Sequence, residues 1–512
     1  EYGLAQLHIE GARNTEPSSA KATAGKQGTN IFFNVPANTT VWMSHGDHVE
    51  TLPPGFIQIA STGNNSIAAM GNEAKKWYGF QFHPEVFHSE HGRIMLQNFL
   101  FSICQAEKNW TTADMQAQIE LEIKKEAGDK NVFLLVSGGV DSTVCFALLE
   151  KVLGKNRVYG VHIDHGFMRE KETATITAAL SRIGFDNLHI IDASKEFFEA
   201  LAGVTDPEKK RQIIGKIFLD VTDRIMSETA RDPKQWLLGQ GTIYPDTIES
   251  GGTKNADKIK THHNRVDRIV EMIKEGRIIE PIKELYKDEV RAIGRSLGLP
   301  EELIARHPFP GPGLAIRCLC SEETSAPAKK IDTQSTTAYS MYQLPLRSVG
   351  VQGDERSYAH PAVITDCGLD YPLFHTLAPQ ITNSHKDINR VLFLLHGDPK
   401  KLGLSTVQPS FLSNERITKL RHIDAIVNDI ILADPTCRHI WQMPIVLVPF
   451  GHEHKESIVL RPVESEEAMT VRFAELSNGV IEKITQAIDA LAFVDFIFYD
   501  ITNKPPGTIE WE

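Results

Sequence analysis

Apolar and polar positions change period along this chain, and the change is sharpest between residues 131 and 164. Val132-Phe133-Leu134-Leu135-Val136 is apolar at every position, the pattern of a short strand buried on both faces. A helical pattern follows from Thr143 to Leu153, and Val158-Tyr159-Gly160-Val161-His162-Ile163-Asp164 returns to strand. Strand, helix and strand in that order predict a βαβ unit. They therefore predict a parallel sheet whose ligand edge lies at the carboxyl ends of its strands. Asp164 falls on that edge. Leu237-Leu238-Gly239 predicts a further strand running into a polar turn.

The flanks read differently. Before residue 110, short β-rich runs (Val41-Trp42-Met43, Phe56-Ile57-Gln58-Ile59-Ala60 and Tyr78-Gly79-Phe80-Gln81-Phe82) predict part of an α/β domain, and Gly11 to Asn30 reads as a surface loop. Thr111, Thr112 and Asp114 cap a helix whose apolar positions Met115, Ile119, Leu121 and Ile123 lead toward Gly128. Ser321 to Thr337, rich in Ser, Thr, Ala and Lys, predicts a linker or exposed insertion. The pattern from Asp387 through Pro399 recurs from Ala487 to Ile501 and Pro505, an internal duplication. Val480, Ile481, Ile484, Ile488 and Leu491 supply the second helix. The expected division is residues 1–109, 110–319 and 320–512. The closing stretch Lys504 to Glu512 carries two prolines, a Trp and alternating charge, which predicts a docked rather than frayed end.

Composition narrows the classes. A formal net charge of −12 leaves no basic excess to neutralise phosphates, which argues against a nucleic-acid surface. The six cysteines form neither a C-x-x-C pair nor a disulfide framework, so a reducing, cytosolic compartment is expected. No apolar run approaches ~18 residues, so no membrane partner is expected. Glu1 stands where an initiator Met would, which suggests a trimmed or processed chain and leaves a signal peptide unjudged.

The chemistry begins in the turn Ser137-Gly138-Gly139-Val140-Asp141-Ser142-Thr143. Gly138 and Gly139 can take positive φ and carry no Cβ, so backbone N–H groups can converge on an anion at a helix amino end. Ser137, Ser142 and Thr143 add hydroxyls, and Asp141 is a hard oxygen ligand suited to Mg²⁺. A Walker A loop would need a longer spacing and a Lys-Ser/Thr pair, which are missing. The turn resembles instead the PP-loop of the ATP pyrophosphatases, which grip the pyrophosphate end of ATP and react at its α-phosphate. That resemblance implies ATP as co-substrate, with contacts from Ser137 through Thr143 and from Asp164 at the next strand end.

Ser44-His45-Gly46-Asp47 and Gln81-Phe82-His83-Pro84-Glu85 resemble the class I glutamine amidotransferases. By that resemblance His83 takes the thiol proton of a catalytic Cys and Glu85 holds the imidazole. The family's Gly-x-Cys-x-Gly elbow should precede these motifs, yet no cysteine lies before Cys104, in a helical context. The sequence as written is thus expected not to hydrolyse glutamine: either its nucleophile half was cut away or left out, which is the favoured reading, or the domain has lost its chemistry.

Four long motifs, in order, then resemble the GMP synthetases. They are the Ser137 turn, Gly239-Gln240-Gly241-Thr242 through Ser250, Lys260-Thr261-His262-His263-Asn264, and His307-Pro308-Phe309-Pro310-Gly311-Pro312-Gly313-Leu314-Ala315-Ile316-Arg317. Lys260 is expected in a lid over the triphosphate; His262 and His263, being adjacent, are rejected as a zinc pair. The resemblance implies an α/β fold: a partial amidotransferase domain, a parallel-sheet PP-loop domain and an α+β dimerisation-type domain. It places XMP on Arg211, Asp354, Gln442, Lys504 and Glu510, and glutamine or free ammonia as nitrogen donor, with a monomer and a homodimer both open. Other PP-loop amidating enzymes should lack the terminal Lys-Pro-Pro-Gly-Thr-Ile-Glu-Trp-Glu. A tRNA-thiolating enzyme would want a basic surface and a redox cysteine pair. A non-catalytic module has only the missing nucleophile in its favour.

Overall fold

A computed structural model of the chain describes residues 2–10, 30–86, 88–229, 233–245, 275–304, 309–332, 339–352, 355–465 and 471–512. Lys260, His262, His263, His307 and Asp354 lie outside the described residues, as does most of the Gly11–Asn30 loop. The chain divides into two units, Glu1–Thr111 and Thr112–Glu512.

In the first unit, β1 (Tyr2–Ile9), β2 (Asn38–Ser44), β3 (Ile57–Ser61), β4 (Ala69–Asn72) and β5 (Trp77–Phe80) form one antiparallel sheet in the order β2-β1-β3-β4-β5. β2 buries every second side chain, Thr39, Val41 and Met43, as a sheet with one core face requires. Met95 of α1 (Gly92–Gln97) and Ile103 of the following π-helical turn (Asn98–Ile103) cover that face, together with Leu7, Ile59 and Phe82.

The second unit opens with α2 (Thr112–Ala127), β6 (Asn131–Leu135), α3 (Val140–Leu153), β7 (Val158–Asp164), α4 (Glu172–Arg182), β8 (Leu188–Asp192), α5 (Ser194–Ala200), α6 (Pro207–Thr229), β9 (Trp236–Gly239), β10 (Ile278–Ile279) and α7 (Lys287–Ser296). The sheet order is β10-β9-β6-β7-β8, parallel throughout, as the βαβ pattern predicted. The unbroken apolar run of β6 has its physical reason here. Val132 and Leu134 pack with α3, while Phe133 points into the core on the opposite face.

The same unit continues with β11 (Lys329–Ile331), β12 (Ser340–Gln343), β13 (Ser348–Gln352), β14 (Glu355–Thr365), α8 (Tyr371–Ser384), β15 (Ile388–His396), β16 (Thr406–Val407), α9 (Asn414–Ala433), β17 (Ile445–Val448), β18 (Phe450–Gly451), β19 (Ser457–Leu460), β20 (Val463–Glu464), β21 (Arg472–Phe473), α10 (Asn478–Asp489) and β22 (Ile497–Asp500). One large sheet runs β11-β12-β14-β15-β22-β19-β17, with β13 added to β14. β14 and β15 are parallel around α8, and β19 and β22 are parallel around α10. The two inner strands, β15 and β22, meet antiparallel. The helix-strand-proline pattern read twice in the sequence is therefore two βαβ units set back to back. The core of this unit runs without a break from Phe133 and Val161 through Leu314 and Cys318 to Ile445 and Ile497.

The described part of Ser321 to Thr337, expected as a linker or exposed insertion, is mostly exposed, but it is not a free linker. Ser321 exchanges backbone hydrogen bonds with Ser410, Ser325 N donates to Val407 O, Ala328 N donates to Ser405 O, and β11 pairs with β12. Polar composition concealed an extended segment whose backbone is satisfied by its neighbours. Among the described residues no helix is long and apolar enough to cross a membrane.

Candidate active site

The turn between β6 and α3 is tight because Gly138 takes φ +84°, a left-handed conformation glycine adopts without a Cβ penalty. Gly139 does not share it. At φ −66° and ψ 155° it is the extended cap of α3, so one positive-φ glycine suffices. The helix starts three residues earlier than its apolar pattern. Ser142 Oγ (3.1 Å) and Thr143 Oγ1 (2.8 Å) both donate to the Gly139 carbonyl, drawing Val140, Asp141 and Ser142 into the first turn. Ser137 Oγ accepts from Gly139 N at 3.3 Å and lies 3.1 Å from Ser142 Oγ.

Asp141 is divided between two tasks. Its Oδ2 pairs with Lys287 Nζ, while its Oδ1 is buried and, among the described residues, accepts no hydrogen bond. Lys287 heads α7, whose start is fixed by Glu289 Oε2 accepting from Tyr286 N at 2.8 Å. A helix amino end, a lysine and a carboxylate oxygen meet here, groups whose chemistry suits a phosphate chain and a divalent cation.

Asp164 ends β7, one strand from the turn. Its Oδ1 accepts from Gly166 N (2.9 Å) and its Oδ2 from Thr173 Oγ1 (3.1 Å), so both oxygens hold the following loop. A cavity of about 700 Å³ opens there, lined by Asp164, Arg169, Thr173, Phe198 and Arg421 among others, with none of residues 137–143 on its wall. Arg421 of α9 fixes the loop by donating to the carbonyls of Gly166 and Met168.

The closing segment is docked, as its composition predicted. Trp511 is fully buried and its Nε1 donates to Asp500 Oδ2 at 3.0 Å. Glu510 receives a two-pronged contact from buried Arg317 (3.0 and 2.7 Å). Arg211 donates to Glu208 Oε1 at 2.7 Å and to the Glu512 carbonyl. Lys210 beside it pairs with Glu512 Oε2 at 2.7 Å. Burial pushes the Glu512 carboxyl up to about 7 despite that lysine. Gln442 and Lys504 join the segment through backbone: Gln442 bridges Val463, β20 pairs with β21, and Val471 bridges Lys504. Arg211, Gln442, Lys504 and Glu510 are thus arranged along one closing segment and the strands beside it.

In the first unit, His83 Nδ1 lies 2.8 Å from Glu85 Oε1. The loop carrying them is pinned by His83 N donating to Trp42 O and by Ser89 Oγ donating to His83 O. Helix α1 begins so close that a Cβ on Gly92 would stand 1.8 Å from Pro84 O. Cys104 is exposed and follows the π-helical turn, its N–H bonded to Phe99 O. No strand-to-helix elbow surrounds it.

The family described as "Glutamine amidotransferase class-I" matches residues 6–103, "NAD synthase" matches residues 112–212, and "GMP synthase C terminal domain" matches residues 429–511. A probable glutamine-hydrolyzing GMP synthase of Leptospira interrogans serogroup Icterohaemorrhagiae serovar copenhageni is 43% identical over 100% of this chain and 83% of its own length. A glutamine-hydrolyzing GMP synthase of Streptomyces coelicolor is 34% identical over 100% of this chain and 79% of its own, and one of Dictyostelium discoideum 33% over 94% and 76%. The chain belongs to the glutamine-hydrolysing GMP synthase family. Of the stretches matched, the first holds His83 and Glu85, the second holds Ser137–Thr143, Asp164 and Arg211, and the third holds Gln442, Lys504 and Glu510.

Sequence reasoning missed Lys287 and Lys210, and it named Arg317 only as the end of a motif, without a role. Lys287 meets Asp141 across 146 residues, Lys210 meets Glu512 across 302 and Arg317 meets Glu510 across 193, distances over which no local spacing carries a signal. The capping pattern at Tyr286–Glu289 was the one local clue, since it marks the helix end on which Lys287 stands.

Proposed function

We propose that this chain converts XMP to GMP. Its O2 attacks the α-phosphorus of ATP, pyrophosphate leaves into the Ser137–Thr143 turn, and ammonia displaces AMP from C2 of the adenylyl-XMP intermediate. The observation that carries this reading is the turn itself: amino-end N–H groups of α3 and Lys287 poised beside Asp141. Preorganised donors of this kind stabilise charge that develops on a departing pyrophosphate. Asp141 Oδ1 would hold Mg²⁺, which when bound neutralises phosphate charge.

XMP belongs with Arg211, Asp354, Gln442, Lys504 and Glu510, the cations answering its 5′-phosphate. Lys260 closes over the triphosphate, and Asp164 shapes the loop nearest the nucleoside. His83 and Glu85 serve glutamine hydrolysis, and external ammonia replaces glutamine. The three-part division at residues 109 and 319, a cytosolic setting and the absence of a nucleic-acid partner complete the reading. The test is product analysis with XMP, ATP, Mg²⁺ and an ammonium salt. AMP and pyrophosphate should appear only when XMP is present, whereas ADP and orthophosphate would refute the reading.

A further inference from the structure

We propose that Asp424 and Arg317 are positioning residues of the XMP site: together they set the place and the charge of Glu510, the carboxylate that meets the purine nucleotide. The inference rests on the placement of XMP proposed above and extends it inward to two side chains that no ligand touches.

Three groups stand in line from the interior outward. Asp424 of α9 and Arg317, which ends the short turn Gly313–Arg317, are buried, whereas the Glu510 side chain keeps 19% of its surface exposed. Arg317 grips Glu510 with Nε on Oε2 and Nη2 on Oε1. That grip uses one lone pair of each oxygen and leaves the other for a donor on a ligand, such as a ribose hydroxyl or a purine N–H. The third guanidinium nitrogen, Nη1, lies 3.8 Å from Asp424 Oδ1, and neither atom has a hydrogen-bond partner among the described residues. At that length charge alone joins them.

The line is held at its inner end as well. Phe309 stands against two guanidiniums, its ring centre 5.3 Å from Arg317 Cζ and 4.6 Å from Arg169 Cζ, and Arg169 Nε lies 3.5 Å from Asp424 Oδ2. Asp424 therefore sits between two cations and Arg317 between two carboxylates. Burial would lower Arg317, yet Glu510 and then Asp424, with Glu172 behind them, hold it above its ordinary range. That sharing decides what Glu510 offers. While Asp424 takes part of the Arg317 charge, Glu510 keeps enough of its own to accept strongly from a neutral ligand donor. With an amide in place of Asp424 the whole cation falls on Glu510, and its pull on a ligand weakens.

Calorimetry on the full chain tests this without turnover. The Kd of α,β-methylene-ATP with Mg²⁺ is measured alone, and the Kd of XMP in its saturating presence, since the bridging carbon blocks departure of pyrophosphate. Asp424→Asn should weaken XMP about fivefold, roughly the difference between a hydrogen bond to a charged acceptor and one to a neutral acceptor, and leave the ATP analogue unchanged. Arg317→Lys, which keeps a buried cation but cannot grip Glu510 with two prongs, should weaken XMP as well. In a Glu510→Gln background neither change should have a further effect, because a residue acting only through Glu510 has nothing left to act on. Equal weakening of XMP in both backgrounds, or a parallel loss of affinity for the ATP analogue, would make Asp424 a structural residue and overturn the inference. An unsubstituted chain that binds no XMP, or a Glu510→Gln chain that binds it as tightly as before, would refute the placement of XMP itself, and the inference would fall with it.

Discussion

Gly138 concentrates the residue-scale argument, because its φ of +84° is one that an L side chain adopts only at a cost of roughly 1–2 kcal/mol. Gly138→Ala is expected to lower stability by about that amount or to twist the N–H groups of the turn away from the phosphate chain. Pyrophosphate release should fall at least ~10-fold, each ~1.4 kcal/mol of lost transition-state stabilisation being a factor of ten. Unchanged release would show that the turn does not bear the pyrophosphate. His165 offers a pH test. It is almost fully buried and its Nδ1 accepts from Phe167 N at 3.1 Å. Burial holds the ring down to about 4, against a positive charge favoured by Asp164 and Glu172 and opposed by His162. The folded value is depressed, so its contribution is complete above about 6.5 and is lost as pH falls toward 4. Urea unfolding should show the chain losing on the order of 2 kcal/mol between about pH 7 and pH 5 from this group. His165→Phe should lack that portion of the slope. The glycine's role was legible in its spacing; the histidine's was not, because its aromatic cage of Phe167, Phe197 and Phe218 assembles from separate elements.

Among elements, the closing segment shows how a polar tail becomes interior structure. Arg390 of β15, fully buried, donates to the carbonyls of Val349 (3.0 Å), Thr508 (2.9 Å) and Glu510 (2.8 Å). Arg461 holds the Thr502 carbonyl at 2.7 Å. Both guanidiniums answer to one carboxylate: Asp500 Oδ2 accepts from Arg390 Nη1 at 2.8 Å, and Oδ1 lies 3.1 Å from Arg461 Nη1. Burial pushes Arg390 down to about 10 although Asp500 and, less strongly, Glu510 oppose it, so the pair of cations leans chiefly on Asp500. Asp500→Asn would take the nearest counter-charge from two buried cations, a change expected to cost about 3–5 kcal/mol. Denaturant titration reads the loss, and faster hydrogen exchange across residues 504–512 reads the freed segment. A stability change below ~1 kcal/mol would mean that packing of Trp511 alone holds the segment. That the tail docks was legible from its prolines and Trp. Its strap was not, since Arg390 reaches it across 118 residues.

For the whole molecule, the parallel sheet around β6 was legible because consecutive strands and helices set its order. The large sheet was legible only as a repeat, since its order depends on which repeat faces which. That order bears on assembly. Each βαβ half, taken alone, would leave an apolar edge: Val391, Leu392 and Phe393 on β15, and Ile497, Phe498 and Tyr499 on β22, all buried here. Their antiparallel pairing closes both edges inside one chain. The sheet's outer ends are also blocked. β11 is three residues long with exposed Lys329 and Lys330, a short lysine-bearing edge that resists pairing. β17 is covered by its own chain, with Cys318 bridging Leu447 and Leu319 N donating to Leu447 O. Among the described residues a second copy therefore finds no free strand in this sheet to extend, and a single chain is the expected assembly. Sedimentation equilibrium at tens of micromolar should return the mass of one chain, 57.1 kDa, without a rise at higher loading. A mass that doubles with concentration would show that a face other than these strand edges pairs two copies, and the self-contained sheet would lose its role in setting the assembly.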